Sequence, residues 1–114
     1  MSELVERLLI GQHPVEISLR PDQTIDALRE RIERGFVHVR FTETRGGTEL
    51  GIPIDRQRSD LSAADFAGRT GQLTIVGDLT FDYIRVRCIA EIDLPSLQGR
   101  GRLERLPQTA ISAS

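Results

Sequence analysis

The chain has 114 residues, a formal net charge of −2 and 39% hydrophobic residues, which indicates one domain with an aliphatic core. All of its basic residues are arginine, which excludes lysine-based Schiff-base chemistry, and its single cysteine excludes an intrachain disulfide and a cysteine-based metal site. The near-neutral charge provides no global field for nucleic acid, and the sequence has neither a signal-peptide core nor a membrane-length apolar run. We therefore expect a soluble, cytoplasmic protein.

The first third of the chain contains the most informative local pattern. Leu4–Ile10 fits a helix or a strand, and the turn-like residues 11–14 favour a β-hairpin with the strand that follows. Val15–Leu19 alternates apolar and polar residues, as a strand with one buried face does. A helix is predicted next, with Thr24 or Asp22 as its N-cap and an apolar stripe of Ile25, Leu28 and Ile32, ending at Gly35.

The rest of the chain is typical of strands joined by short turns. We predict strands at 36–43, 48–55 and 72–76, a single helical turn at 61–66, and a tight reversal at Gly77–Asp78. The most regular alternation runs from Phe81 to Leu94 and predicts a long strand. A last short strand or turn follows residues 99–102, so residues 1–106 form the predicted domain and 107–114 a flexible tail.

Two phrases resemble ubiquitin. VEISLRPDQTIDALRERIE (15–33) is similar to its second strand and capped helix, and DLSAADFAGRTGQLTIV (60–76) is similar to its late turn and final strand. The resemblance, which covers about residues 4–76, implies an α+β ubiquitin-like β-grasp fold: a mixed sheet packed on one helix, with residues 77–106 as a C-terminal strand or hairpin extension. The chain lacks the terminal Gly-Gly of ubiquitin and sulfur carriers, so a carrier role is not expected.

No catalytic, metal or cofactor site is predicted. Cys88 lies on the apolar face of the long strand and is expected to be an inert core residue. His13 and His38 have no companion at ligand spacing. The candidate partner-binding residues are five arginines that a folded-back C-terminal segment would bring together; internal pairing with nearby acids is the alternative. They are Arg85, Arg87, Arg100, Arg102 and Arg105.

Three functions are compatible with these patterns. The favoured one is a non-catalytic interaction module or accessory subunit that binds a protein partner or itself through its sheet edge and C-terminal extension. The second is a small enzyme or ligand-binding protein with a cleft beside the helix, using acids, arginines and His38. The third is nucleic-acid binding through the arginines, which the absence of interleaved aromatic residues disfavours.

Overall fold

Seven strands and two helices make up the fold in a computed structural model, which describes residues 3–19, 23–44 and 46–107. In chain order the elements are α1 (Glu3–Leu8), β1 (His13–Ser18), α2 (Ile25–Arg34), β2 (Phe36–Phe41), β3 (Thr48–Pro53), β4 (Ala64–Asp65), β5 (Thr70–Phe81), β6 (Ile84–Asp93) and β7 (Gln98–Arg105). The strands form one sheet in the order β3-β2-β1-β7-β6-β5-β4. The predicted α+β class is confirmed.

The sheet is antiparallel at every strand pairing of the described residues, so the predicted mixed sheet is wrong. The β-grasp arrangement is not confirmed. Strand β7 lies between β1 and β6, with Val15 opposite Gly99 on one side and Ile92 opposite Gly99 on the other. Residues 77–106 therefore supply the centre of the sheet, because β1 has no other neighbour on that side; they are not an extension added to a complete fold.

The sheet curls until its two ends meet. The chain leaving β3 runs beside β5, where the Asp55 amide donates to the Val76 carbonyl at 2.8 Å. Asp60 and Thr74 then exchange two backbone hydrogen bonds of 2.8 and 2.9 Å. The enclosed space is filled by fully buried aliphatic and aromatic side chains, including Phe41, Ile52 and Ile92. Closing the sheet in this way protects the outer edge of β5 from other chains.

Helix α2 matches its sequence prediction closely. The Thr24 hydroxyl accepts a hydrogen bond from the Ala27 amide at 3.1 Å, which caps the first turn. Gly35 ends the helix with φ of 84°, a left-handed conformation that glycine adopts without a steric penalty. Leu28 and Ile32 are buried against the sheet. The alternative cap, Asp22, lies outside the described residues.

The N-terminal segment is a helix, so the predicted hairpin is wrong there. Val5 and Leu8 are fully buried, and Leu4 and Leu9 pack against the core from the same face. This spacing of three and four residues is helical, and the turn-like residues that follow only connect α1 to β1. No helix of the described ranges is long and apolar enough to span a bilayer.

Two further local predictions are wrong. Residues 61–66 form turns and the two-residue strand β4, not a helical turn, because Ala64 and Asp65 pair with the start of β5. The chain does not reverse at Gly77–Asp78 either. Strand β5 continues to Phe81 and the reversal occurs at Asp82 and Tyr83. The predicted tail, apart from Pro107, lies outside the described residues.

Candidate functional site

The outward side of strands β6 and β7 carries four of the five predicted arginines. Register decides this placement: Arg87 lies opposite Glu104, and Arg100 lies opposite Glu91. Arg105 lies opposite the buried Val86 and therefore takes the inward-facing register at the end of β7, where it is exposed. We call the outward group the arginine face; its members are Arg85, Arg87, Arg100 and Arg102.

Arg87 is held by an acid on the neighbouring strand. Its Nε donates to Oδ1 of Asp78 at 2.7 Å and its Nη2 donates to Oδ2 at 3.2 Å, a two-point contact across β5 and β6. The hydrogen bond from Arg87 lowers the pKa of Asp78 below its ordinary value, and the same bond raises the pKa of Arg87. This pair fits the alternative of internal pairing, so Arg87 is a structural member of the face.

The other members differ in how much of their hydrogen-bonding capacity is used. Nη1 of Arg102 donates to Glu104 at 2.6 Å, two residues along the same strand. Nη1 of Arg85 donates to the Thr80 hydroxyl at 3.1 Å. Arg100 is exposed and forms no ion pair with another described residue. Arg100 is therefore the member whose guanidinium has the most donors left for a partner.

Acids and arginines alternate across this surface. Glu91 and Glu104 lie on the outward side of β6 and β7, and Asp78 lies beside Arg87 on β5. The mixture prevents a strongly positive potential, which polyanion binding would need. Fixed guanidinium forks next to carboxylates instead suit a protein surface with the complementary pattern.

The histidines and the cysteine take up structural positions. The His38 ring packs edge-to-face on Phe36 with centroids 5.2 Å apart, and His13 contacts the Ile10 carbonyl oxygen at 2.9 Å through Nε2. Burial raises the pKa of the Cys88 thiol to about 12, so the reactive thiolate is not formed near neutral pH. Within the ranges that the structure describes, no three His, Cys, Asp or Glu residues come close enough to hold a metal ion.

Shallow depressions lie on the surface of the described residues, and three of them are relevant to the hypotheses above. One of about 280 Å³ adjoins the start of α2, one of about 320 Å³ adjoins α1, and one of about 200 Å³ contains His38 with Arg31 and Glu49. The last of these is the cleft beside the helix that the second functional hypothesis requires. Its volume is below the usual range of ligand pockets, about 300–1,000 Å³.

Sequence reasoning missed one exposed aromatic residue. Tyr83 is 96% exposed at the turn between β5 and β6, where both Asp82 and Tyr83 have positive φ. The sequence pattern predicted the reversal at Gly77–Asp78 and a long strand from Phe81 to Leu94. Tyr83 therefore counted as an ordinary residue of that strand and not as a turn residue. The two-residue spacing between Phe81 and Ile84 is the signal that was available.

No protein-family model matches the chain, and no curated protein sequence matches it.

Proposed function

We propose that this protein is a non-catalytic interaction module that binds a protein partner through the arginine face. The observation that carries the proposal is the position of Arg100. It lies on the central strand β7, exposed, between Pro14 on β1 and Glu91 on β6, and no described acid pairs with it. An uncovered guanidinium carried by the central strand of a sheet is a natural anchor for a carboxylate of another protein.

The neighbouring charges give the face a pattern as well as an anchor. Because Glu91 and Glu104 alternate with the arginines, a partner must present both signs in the matching order. Such patterning mainly sets specificity and the association rate, and rim charges are screened by salt. The sheet edges are the other surface that the favoured hypothesis uses, and they offer little. The end of β3 lies against β5, and β4 has only two residues.

The experiment compares two charge reversals on one strand. Arg100→Glu changes the arginine face, and Arg105→Glu makes the same change on the same strand but in the inward register. The tagged full chain, its two variants and a bead control are used to capture proteins from an extract of its own cells, followed by cross-linking and mass spectrometry. We expect a partner that is retained by the unchanged protein and by Arg105→Glu, and lost at least tenfold with Arg100→Glu. Equal capture by all three proteins contradicts the proposal.

The alternatives have less support. Ligand binding beside α2 depends on the shallow depression at His38. Mass spectrometry would test it by looking for a small molecule that copurifies with the unchanged protein and not with the His38→Ala variant. The interleaved acids disfavour nucleic-acid binding. Absent or salt-independent binding to RNA and DNA would rule this function out. The ubiquitin-like resemblance does not contribute to the proposal, because its phrases are composed of cap, turn and core residues.

A further inference from the structure

The turn between β5 and β6 places an aromatic side chain where stability would favour glycine. A two-residue hairpin turn with positive φ at both positions is most favourable as Asn-Gly or Asp-Gly. Here Asp82 has φ of 53° and Tyr83 has φ of 66°, and Tyr83 is 96% exposed. Backbone strain and an exposed aromatic residue at one position are typical of functional sites. We call residues 82–83 the hairpin tip.

A depression that matches the tip lies at the other end of the same hairpin. Its lining includes Arg69, which directly precedes β5, and Leu97, which follows β6. The tip and the depression are therefore separated by the length of the twelve-residue strand β5, about 40 Å. Ile25 and Asp26 from the start of α2 also line the depression. We call this site the α2 depression.

We propose that the hairpin tip of one molecule inserts into the α2 depression of a second copy. The volume fits, because an apolar cavity of about 150 Å³ already holds a benzene ring and the α2 depression measures about 280 Å³. The phenol ring of Tyr83 would contact Ile25 and Leu97, and its hydroxyl can donate to the Asp26 carboxylate. Asp82 beside the ring is complementary in charge to Arg69 at the rim.

The position of the two sites limits the form of the assembly. A tip and a depression at opposite ends of one molecule can pair head to tail, which builds a ring or an open chain, or reciprocally between two antiparallel copies, which builds a two-fold dimer. The buried area is that of one turn, so the contact is weak and depends on protein concentration. The arginine face is not involved, so this inference goes beyond the proposed function, and an Arg100→Glu variant is expected to associate normally.

The test uses two substitutions that suit the backbone they enter. Tyr83→Gly removes the ring at a positive-φ position, and Arg69→Asp reverses the rim charge at another, since Arg69 has φ of 58° and aspartate tolerates this region better than arginine. Neither change should disturb folding. Ile10→Ser serves as the control for loss of an exposed apolar side chain elsewhere, because Ile10 is 74% exposed.

Sedimentation velocity of the full chain over a hundredfold concentration range measures the association. We expect the unchanged protein and Ile10→Ser to shift to larger species at high concentration, and each of the other two variants to associate at least tenfold more weakly. A mixture of Tyr83→Gly and Arg69→Asp should form 1:1 dimers and stop there, because the Tyr83→Gly copy has lost its tip and the other copy carries the altered rim. The mixture is measured at a concentration where the Arg69→Asp variant alone stays monomeric, so that its weakened rim does not compete.

Several results would overturn the inference. A strictly monomeric unchanged protein does so, as does association of Tyr83→Gly with unchanged strength. Larger species in which Arg69→Asp has no effect would place the contact elsewhere. Circular dichroism spectra of each variant confirm that a change in association is not a change in folding, and Tyr83→Phe separates the ring from the hydroxyl by retaining only the apolar contact.

Discussion

The closure of the sheet depends on a position where β5 has no side chain. Gly77 is buried, and a Cβ atom there would overlap the carbonyl oxygen of Pro53 and lie 2.6 Å from Cγ2 of Ile52. Pro53 ends β3, so these atoms belong to the opposite end of the sheet. We predict that Gly77→Ala forces β3 and β5 apart and strongly destabilises the protein.

The size of the effect follows from which atoms must move. The Pro53 oxygen is a backbone atom and would have to shift by at least about 1.3 Å to reach ordinary contact distance. The cost therefore belongs at the upper end of the overpacking range, about 3 kcal/mol. Gly101→Ala is the matched control, because its new methyl group would meet a valine side chain, Cγ1 of Val15, at 3.0 Å. A side chain can yield, and alanine restricts the unfolded chain, so this variant should lie within about 1 kcal/mol of the unchanged protein.

Urea denaturation followed by far-UV circular dichroism measures both variants, since the chain has no tryptophan. For a domain of this size, about 3 kcal/mol lowers Tm by roughly 10 °C, which a thermal scan resolves easily. The slope m should stay constant for a simple loss of stability. If Gly77→Ala is as stable as Gly101→Ala, then β3 and β5 are not in contact and the description of a closed sheet is refuted.

Three smaller effects test individual side chains. Thr24→Ala should lower the free energy of unfolding by about 1 kcal/mol, because the hydrogen bond from the Ala27 amide is lost. Thr24→Ser keeps a hydroxyl and should retain most of this stability, and urea titration of both variants measures the difference. Cys88, with its thiol pKa raised to about 12, should react with iodoacetamide at pH 8 only on unfolding, and mass spectrometry with and without urea would reveal any fast native reaction. Asp78→Asn should cost no more than about 1 kcal/mol at pH 7, because the pair with Arg87 is partly exposed. The pKa of Asp78 is lowered in the folded protein, so its contribution is present above its ordinary value of 3.8 and disappears as the pH falls through the lowered value; a difference from Asp78→Asn that persists at the lowest pH contradicts this assignment.

The parts of the fold that the sequence predicts are those determined within a few residues. Helix α2 is the clearest case, because its cap at Thr24, its buried Leu28 and its terminal Gly35 all act through neighbouring backbone groups. The inward side of β6 is another, since Val86 to Ile92 alternate and are buried as expected. These signals do not depend on which distant strand the segment pairs with.

Strand β7 shows why the rest was not predictable. Its core-facing positions include Gly99 and Gly101, so the apolar alternation that identifies a strand is missing where the strand is most central. Glycine is required at position 99 by the neighbouring strand, because a Cβ at Gly99 would overlap the Glu91 carbonyl oxygen on β6. This requirement is tertiary, and locally the same residues indicate a loop. Because β7 pairs with β1 in the antiparallel direction, the mixed sheet that the ubiquitin-like resemblance implied was wrong.

The members of the candidate site could be predicted only where the sequence reveals which side of the sheet a residue takes. The alternation in β6 correctly put Arg85 and Arg87 outward, but the β7 arginines could be sorted only once the pairing of Arg100 with Glu91 was fixed. That pairing places Arg102 on the face and removes Arg105 from it. A shift of the β7 register by one residue would have turned Arg102 inward and Arg105 outward.

The sheet closes around a core of aliphatic and aromatic side chains. In the described ranges Thr44 is the one buried polar residue, and its hydroxyl donates to the Phe41 carbonyl oxygen at 3.2 Å. No buried charge or unsatisfied polar atom among these residues marks an interior site. The strand pairing places Arg100 opposite Glu91. If the proposed function holds, we expect a partner to recognise this spacing as well as the charges. A partner that recognises spacing should tolerate Arg105→Glu and reject Arg100→Glu, whereas one attracted only by net charge would respond to both equally.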